Sequence, residues 1–163
     1  MMTIEKKSLN VGKYVDTKHV DTAIRTYKKE RWIHNSKRIG KEDSLSAWYS
    51  VEELEGFIET IKQHGADGIK FYFGAYPDDF AEKPEYAGLQ TIVLVATRSK
   101  ETENGTKHKD VYITKEESTT ILGFNLAHIC PPMCSPYISQ GKTAFTEIGL
   151  TIVDKGEEGL AII

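Results

Sequence analysis

His128-Ile129-Cys130-Pro131-Pro132-Met133-Cys134 brings both cysteines of the chain, a histidine and a proline pair into seven residues. Three chemistries compete for this segment. His128, Cys130 and Cys134 are donors that zinc accepts, but a structural zinc site usually takes four ligands drawn from paired elements. A second cysteine pair is lacking, and His19, His34, His64 and His108 lie far away in the sequence. A Cys130–Cys134 disulfide fits the spacing if the prolines let the alpha carbons approach within about 7 Å. A redox enzyme would more usually present Cys-x-x-Cys at a helix start. The third reading, a stiff connector with two reduced thiols, is preferred, and no resident cofactor is expected.

Other chemistry-bearing patterns are weaker. Gly141-Lys142-Thr143 matches only the end of a phosphate-binding loop, because the first glycine of that pattern would fall at Pro136. Residues 74–89 carry the acids Asp78, Asp79, Glu82 and Glu85 against Lys83 alone. They lack the alternating oxygen donors and glycine of a calcium-binding loop. Pro77 before Asp78 suits a solvated turn, and Asp78 and Asp79 become candidate contacts to a partner. From 25 to 41, seven bases stand against Glu30 alone, with Tyr27 and Trp32 interleaved. Arg25, Lys28, Lys29 and Arg31 are therefore a candidate nucleic-acid face. The net charge of -3 and the lack of a recognised nucleic-acid motif favour a solvated helix face, or a face that pairs with the acidic loop of another copy. No serine has an identifiable histidine and acid context, so a catalytic triad is unsupported.

These residues need elements to position them. Residues 18–38 favour a helix with Val20, Ala23, Ile24 and Tyr27 on its apolar face, stopped near Gly40. Ser50-Val51-Glu52-Glu53 has the form of a capping box. The stripe Val51, Leu54, Phe57, Ile58 and Ile61 continues that second helix to a terminator at Gly65. Gly56 inside it suggests close backbone packing. Residues 68–74 alternate as a strand, with Ile69, Phe71 and Phe73 on one face and Lys70 and Tyr72 on the other. The near-continuous apolar run 90–97 reads as a central strand. Asn104-Gly105 marks a hairpin tip, and 110–114 reads as a third strand. A short helix is expected over 115–122, and a strand or strand pair over 144–153.

The expected fold is one α+β domain spanning 1–163, a mostly antiparallel sheet packed against two N-terminal helices. Residues 1–16 are read as a weakly ordered arm or an edge strand. At 163 residues, 39% apolar and 28% charged, the chain resembles an ordinary soluble globule. A chain of this size buries roughly two thirds of its unfolded surface and needs no disulfide or metal staple. The N-terminus lacks the apolar core of a secretory signal, and no run approaches the roughly 20 apolar residues that cross a bilayer. A cytoplasmic protein without a membrane partner is expected.

The run 65–77 (Gly-Ala-Asp-Gly-Ile-Lys-Phe-Tyr-Phe-Gly-Ala-Tyr-Pro), followed by Tyr86-Ala87-Gly88-Leu89-Gln90-Thr91 and Cys130-Pro131-Pro132-Met133-Cys134, resembles a group of small, uncharacterised bacterial proteins. The resemblance covers roughly residues 45–135. It implies a compact α+β domain and brings no activity or catalytic residue with it. The leading expectation is a non-enzymatic binding or self-assembling protein, a homo-oligomer or a binder of another protein. The apolar end Leu160-Ala161-Ile162-Ile163 makes Leu160, Ile162 and Ile163 candidate contacts. The alternatives are a metal- or thiol-dependent enzyme using 128–134 and a nucleic-acid binder using the basic helix.

Overall fold

The computed structural model describes residues 9–134 together with the strands Ile152–Asp154 and Leu160–Ile162. Residues 9–16 run without regular structure as far as Asp16, whose carboxylate accepts from the His19 amide at 2.9 Å. That N-cap satisfies one of the free donors at a helix start. Helix α1 (Thr17–Tyr27) continues through a π turn (Lys28–Trp32) into α2 (Ile33–Ile39), and Gly40 ends it in the left-handed conformation. No residue of this long helix is buried. The expected apolar face is therefore not a core face: Val20 and Ala23 are exposed, while Ile24 and Tyr27 are half-buried.

Strand β1 (Ser46–Trp48) precedes α3 (Val51–Gln63). Ser50 Oγ accepts from the Glu53 amide at 3.0 Å, the bond that the capping pattern requires. Only part of the expected stripe is covered. Phe57 and Ile61 are buried, Leu54 packs at the margin, and Val51 and Ile58 remain exposed. Gly65, at φ +80°, ends the helix.

Strand β2 (Gly68–Ala75) pairs along its whole length with β3 (Gln90–Thr102), from Gly68 opposite Thr97 to Ala75 opposite Gln90. The other side of β3 is shared. Its far half meets β4 (Gly105–Asp110), and Leu94 and Val95 meet β7 (Gly123–Phe124). Strands β5 (Tyr112–Lys115) and β6 (Ser118–Ile121) form a separate hairpin, and β8 (His128–Cys130) returns to pair with β1. The described end strands, β9 (Ile152–Asp154) and β10 (Leu160–Ile162), pair with each other. Every described pairing is antiparallel. The fold is α+β with a mostly antiparallel sheet.

Two expectations change. The third strand is not 110–114: the chain turns at Val111, whose amide donates to Ala96 O, so Asp110 closes one strand and Tyr112 opens another. The helix expected over 115–122 is the β5–β6 hairpin, in keeping with the β-branched residues Ile113, Thr114, Thr119, Thr120 and Ile121. The loop 74–89 keeps Asp78, Asp79, Glu82 and Glu85 exposed, as the solvated-turn reading expects, while its apolar residues fold inward. Tyr76, Tyr86 and Leu89 are buried with Ile129 in one core cluster, against Ile39, Ala47, Phe80 and Leu126. The other cluster joins Phe57 and Ile61 of α3 to Leu94 and Ala96 of β3. A fully buried Leu such as Leu94 contributes about 1.5–3 kcal/mol relative to exposure.

Candidate functional site

Alternation along β2 and β3 places Ile69, Phe71 and Phe73 on the same face as their register partners Ala96, Leu94 and Ile92. Helix α3 covers only one end of that face, at Ala96 and Leu94. Beyond the helix, Phe71 is 58% exposed and Phe73 84% exposed, and on the reverse face Tyr72 is 42% exposed. Phe73 borders two recesses. One, of about 200 Å³, is lined by Tyr27, Leu45, Ala47 and Ile92 among others. The second, of about 220 Å³, includes Ile39, Arg38, Gly74 and Gly88. The outer edge of β2 has no neighbouring strand among the described residues. Aromatic side chains and unpaired backbone groups thus occur on one strand, where a partner strand could engage both.

The start of β3, the strand paired with that edge, is held by an acid that no local pattern marks. Asp43 is buried, and its Oδ1 accepts from the amides of Ser44 at 2.9 Å and Gln90 at 2.8 Å. Its backbone is held from the helix side. Trp32 Nε1 donates to Asp43 O at 2.8 Å, and the Asp43 amide donates to Ser36 Oγ at 3.0 Å. Ser44 Oγ donates to Gln90 O, and the Tyr27 hydroxyl donates to Gln90 Oε1. Burial first, then the Asp43 charge, pushes the Tyr27 phenol upward. This polar network ties the N-terminal helix to the first residue of β3. On the opposite face, Asn125 Nδ2 donates to Ile92 O at 2.9 Å and to Thr91 Oγ1 at 3.1 Å, linking the β7–β8 segment to β3.

The cysteine segment is not a free connector. Ser46 stands opposite Cys130 and Trp48 opposite His128, so 128–130 is a strand in its own two-stranded ladder. Cys130 and Cys134 are joined as a disulfide, with alpha carbons 4.6 Å apart. This replaces the preferred picture of two reduced thiols. It also removes the thiolates that a zinc ion would need. His128 lies tilted against the exposed ring of Trp48, with centroids 5.8 Å apart. Among the described residues, no group of three or more His, Cys, Asp or Glu side chains could hold a metal ion. Chemically, the exposed Cys134 leaves the bridge open to attack by a thiolate.

The expected basic face is broken up. Arg25 Nε pairs with Asp21 at 3.1 Å, and Lys28 lies over Trp32 at 5.8 Å from the ring centroid. The π turn adds a residue to the helical winding, so bases before and after it do not share one continuous stripe. Lys29 and Arg31 are exposed, as are Asp78 and Asp79. Leu160 and Ile162 belong to the paired strand β10, whereas Ile163 and Gly141-Lys142-Thr143 lie outside the described residues. Among the described residues, Arg25, Lys28, Lys29, Arg31, Asp78 and Asp79 do not line the two recesses beside Phe73.

Tyr49, at the core margin, and Tyr86, inside the core, also have raised hydroxyl pKa values. Burial is the main cause in both, and it pushes Tyr49 up to about 12. They remain neutral phenols rather than nucleophiles at ordinary pH. No helix among the described residues is long and apolar enough to cross a membrane. No protein-family model matches the chain, and neither the curated proteins nor the solved structures contain a significant match.

Proposed function

We propose that the protein is a non-enzymatic self-assembling protein whose β2 edge pairs with the same edge of a second copy. The observation that carries this reading is the exposed aromatic edge itself. Soluble proteins usually blunt such edges with charges, prolines or bulges. β2 contains no proline, and its register with β3 is unbroken over eight residues. Its one charged residue, Lys70, is engaged by Asp110 at 2.9 Å.

The strand is also self-complementary. Antiparallel pairing about a two-fold axis through Tyr72 places Phe71 of each copy opposite Phe73 of the other. A two-fold contact of this kind closes at two copies rather than growing into a filament. Cross-strand aromatic pairs each contribute roughly 0.2–1 kcal/mol beyond the backbone bonds. A cytoplasmic setting belongs to the same reading, and there the Cys130–Cys134 bond would have to withstand reducing thiols.

Sedimentation velocity across a concentration series tests the proposal. The native chain is expected to shift from one copy to two as concentration rises. Phe71→Lys with Phe73→Lys is expected to stay monomeric and, at concentrations where the native chain is also monomeric, to share its melting midpoint, because both rings are exposed. A native chain that remains monomeric into the millimolar range, or a double variant that dimerises equally well, would count decisively against it.

A further inference from the structure

The β3–β4 hairpin has an unusual charge arrangement. Its register sets Arg98 opposite Lys109 and Lys100 opposite Lys107. Directly opposed residues share a face of an antiparallel pair, and so do residues two apart along a strand. Arg98, Lys100, Lys107 and Lys109 therefore form a two-by-two grid of positive charge, and all four are exposed. The neighbouring acids belong to the reverse face. Glu101 there accepts from Thr106 at 2.9 Å, and Asp110 accepts from Lys70 at 2.9 Å and Tyr72 at 2.8 Å. No acid of the hairpin is opposite any of the four bases.

Like charges placed directly opposite each other weaken a strand pair. The fold gives one of the four a structural use: Arg98 Nη1 lies against Gly65 at the C-terminal end of α3, where a cation is favoured. Among the described residues, no ion pair offsets the repulsion that the other three add. The chain as a whole is negative at -3, so the grid is a local concentration rather than part of a general basic surface.

We propose that this face binds the phosphate backbone of a nucleic acid, independently of sequence. Bases repeat about every 6.8 Å along each strand, two residues of extended chain, which suits a regular row of phosphates. Three of the four are lysines, which act as point charges rather than planar forks that read base edges. Glu103 at the hairpin tip opposes tip-first entry into a groove, so the flat face lies along the backbone. This site is distinct from the basic helix and from the aromatic edge.

Fluorescence anisotropy with short, labelled single-stranded and duplex DNA of mixed sequence provides the test, using the full chain. If the grid neutralises four duplex phosphates, affinity falls roughly 100-fold between about 50 and 200 mM salt. Lys100→Gln with Lys107→Gln is expected to weaken binding and to reduce that fall to roughly tenfold. The same double variant should melt at a higher temperature, since it loses a repulsive pair. A residue pair that served only the fold would give the opposite shift. Lys28→Gln with Lys29→Gln should leave binding unchanged. The salt dependence should persist in the Phe71→Lys, Phe73→Lys variant, because each copy carries a whole grid. The proposal fails if neither DNA binds at about 50 mM salt or if Lys100→Gln with Lys107→Gln binds as well as the native chain. It fails equally if only the helix variant loses binding, or if a glutamate-rich peptide competes as effectively as DNA.

Discussion

Asp110 illustrates how single residues are tuned by neighbours that are distant in the chain. Its carboxylate accepts from Lys70 Nζ at 2.9 Å and from the Tyr72 hydroxyl at 2.8 Å. The Lys70 hydrogen bond is the main cause that holds the carboxyl below its ordinary value, and the same bond holds the ammonium above its own. A lowered carboxyl contributes stability above the unfolded value of roughly 3.9 that is lost as pH falls through the folded value. The raised ammonium contributes stability below roughly 10.4 that is lost as pH rises through the folded value. Asp110→Asn should therefore lower the urea midpoint at neutral pH. It should also flatten the dependence on pH over the acid range, narrowing its gap from the native chain as acid is added. Urea titrations in acid buffers check this; equal acid sensitivity in both proteins would remove the assignment. The pair was not legible in the sequence, because Lys70 and Asp110 meet only through the pairing of β2, β3 and β4. Asp43 was hidden for a different reason: in Gly40-Lys41-Glu42-Asp43-Ser44 it looks like any solvated loop acid.

At the scale of elements, local signals were the reliable ones. Helix α3 was legible because its cap, stripe and left-handed glycine lie within sixteen residues, from Ser50 to Gly65. The N-terminal helix has nearly the limits that its pattern predicts, but how far its apolar face is covered depends on what packs against it, which the pattern does not carry. The β5–β6 hairpin was missed because its turn is Glu116-Glu117, with Glu116 at φ 56° where glycine is the usual marker. Gly56 also reads differently in the structure. A Cβ added there meets nothing within 4 Å, so close packing does not explain it. Gly56→Ala should stabilise the protein by about 0.5–1 kcal/mol through helix propensity alone. Thermal or urea unfolding will show the gain, and a loss would mean that α3 has a neighbour at that position.

For the molecule as a whole, the sequence supported the α+β class and an antiparallel sheet, but not the separate β1–β8 ladder. β8 pairs with β1 across some eighty residues, and no local feature of 128–134 distinguishes a strand from a connector. The aromatic face of β2 was legible as a face, whereas its lack of cover was not. The candidate site therefore emerged from what α3 and the N-terminal helix leave uncovered. The long helix itself is attached mainly by polar bonds at Asp43, Ser36, Trp32 and Tyr27, and it buries none of its own residues. Elements held with so little apolar burial open at a lower free energy than the core.

Amide hydrogen exchange should thus divide the chain in time. The helix amides and the two latch amides, Ser44 and Gln90, should exchange together in an early sub-global opening. Leu94, Val95 and Ala96 should wait for global unfolding. If the helix amides were as slow as those three, Asp43 would be a seam in one cooperative body. Otherwise it is the hinge pin of a detachable arm, and the aromatic recess beside Phe73 widens each time the arm swings away.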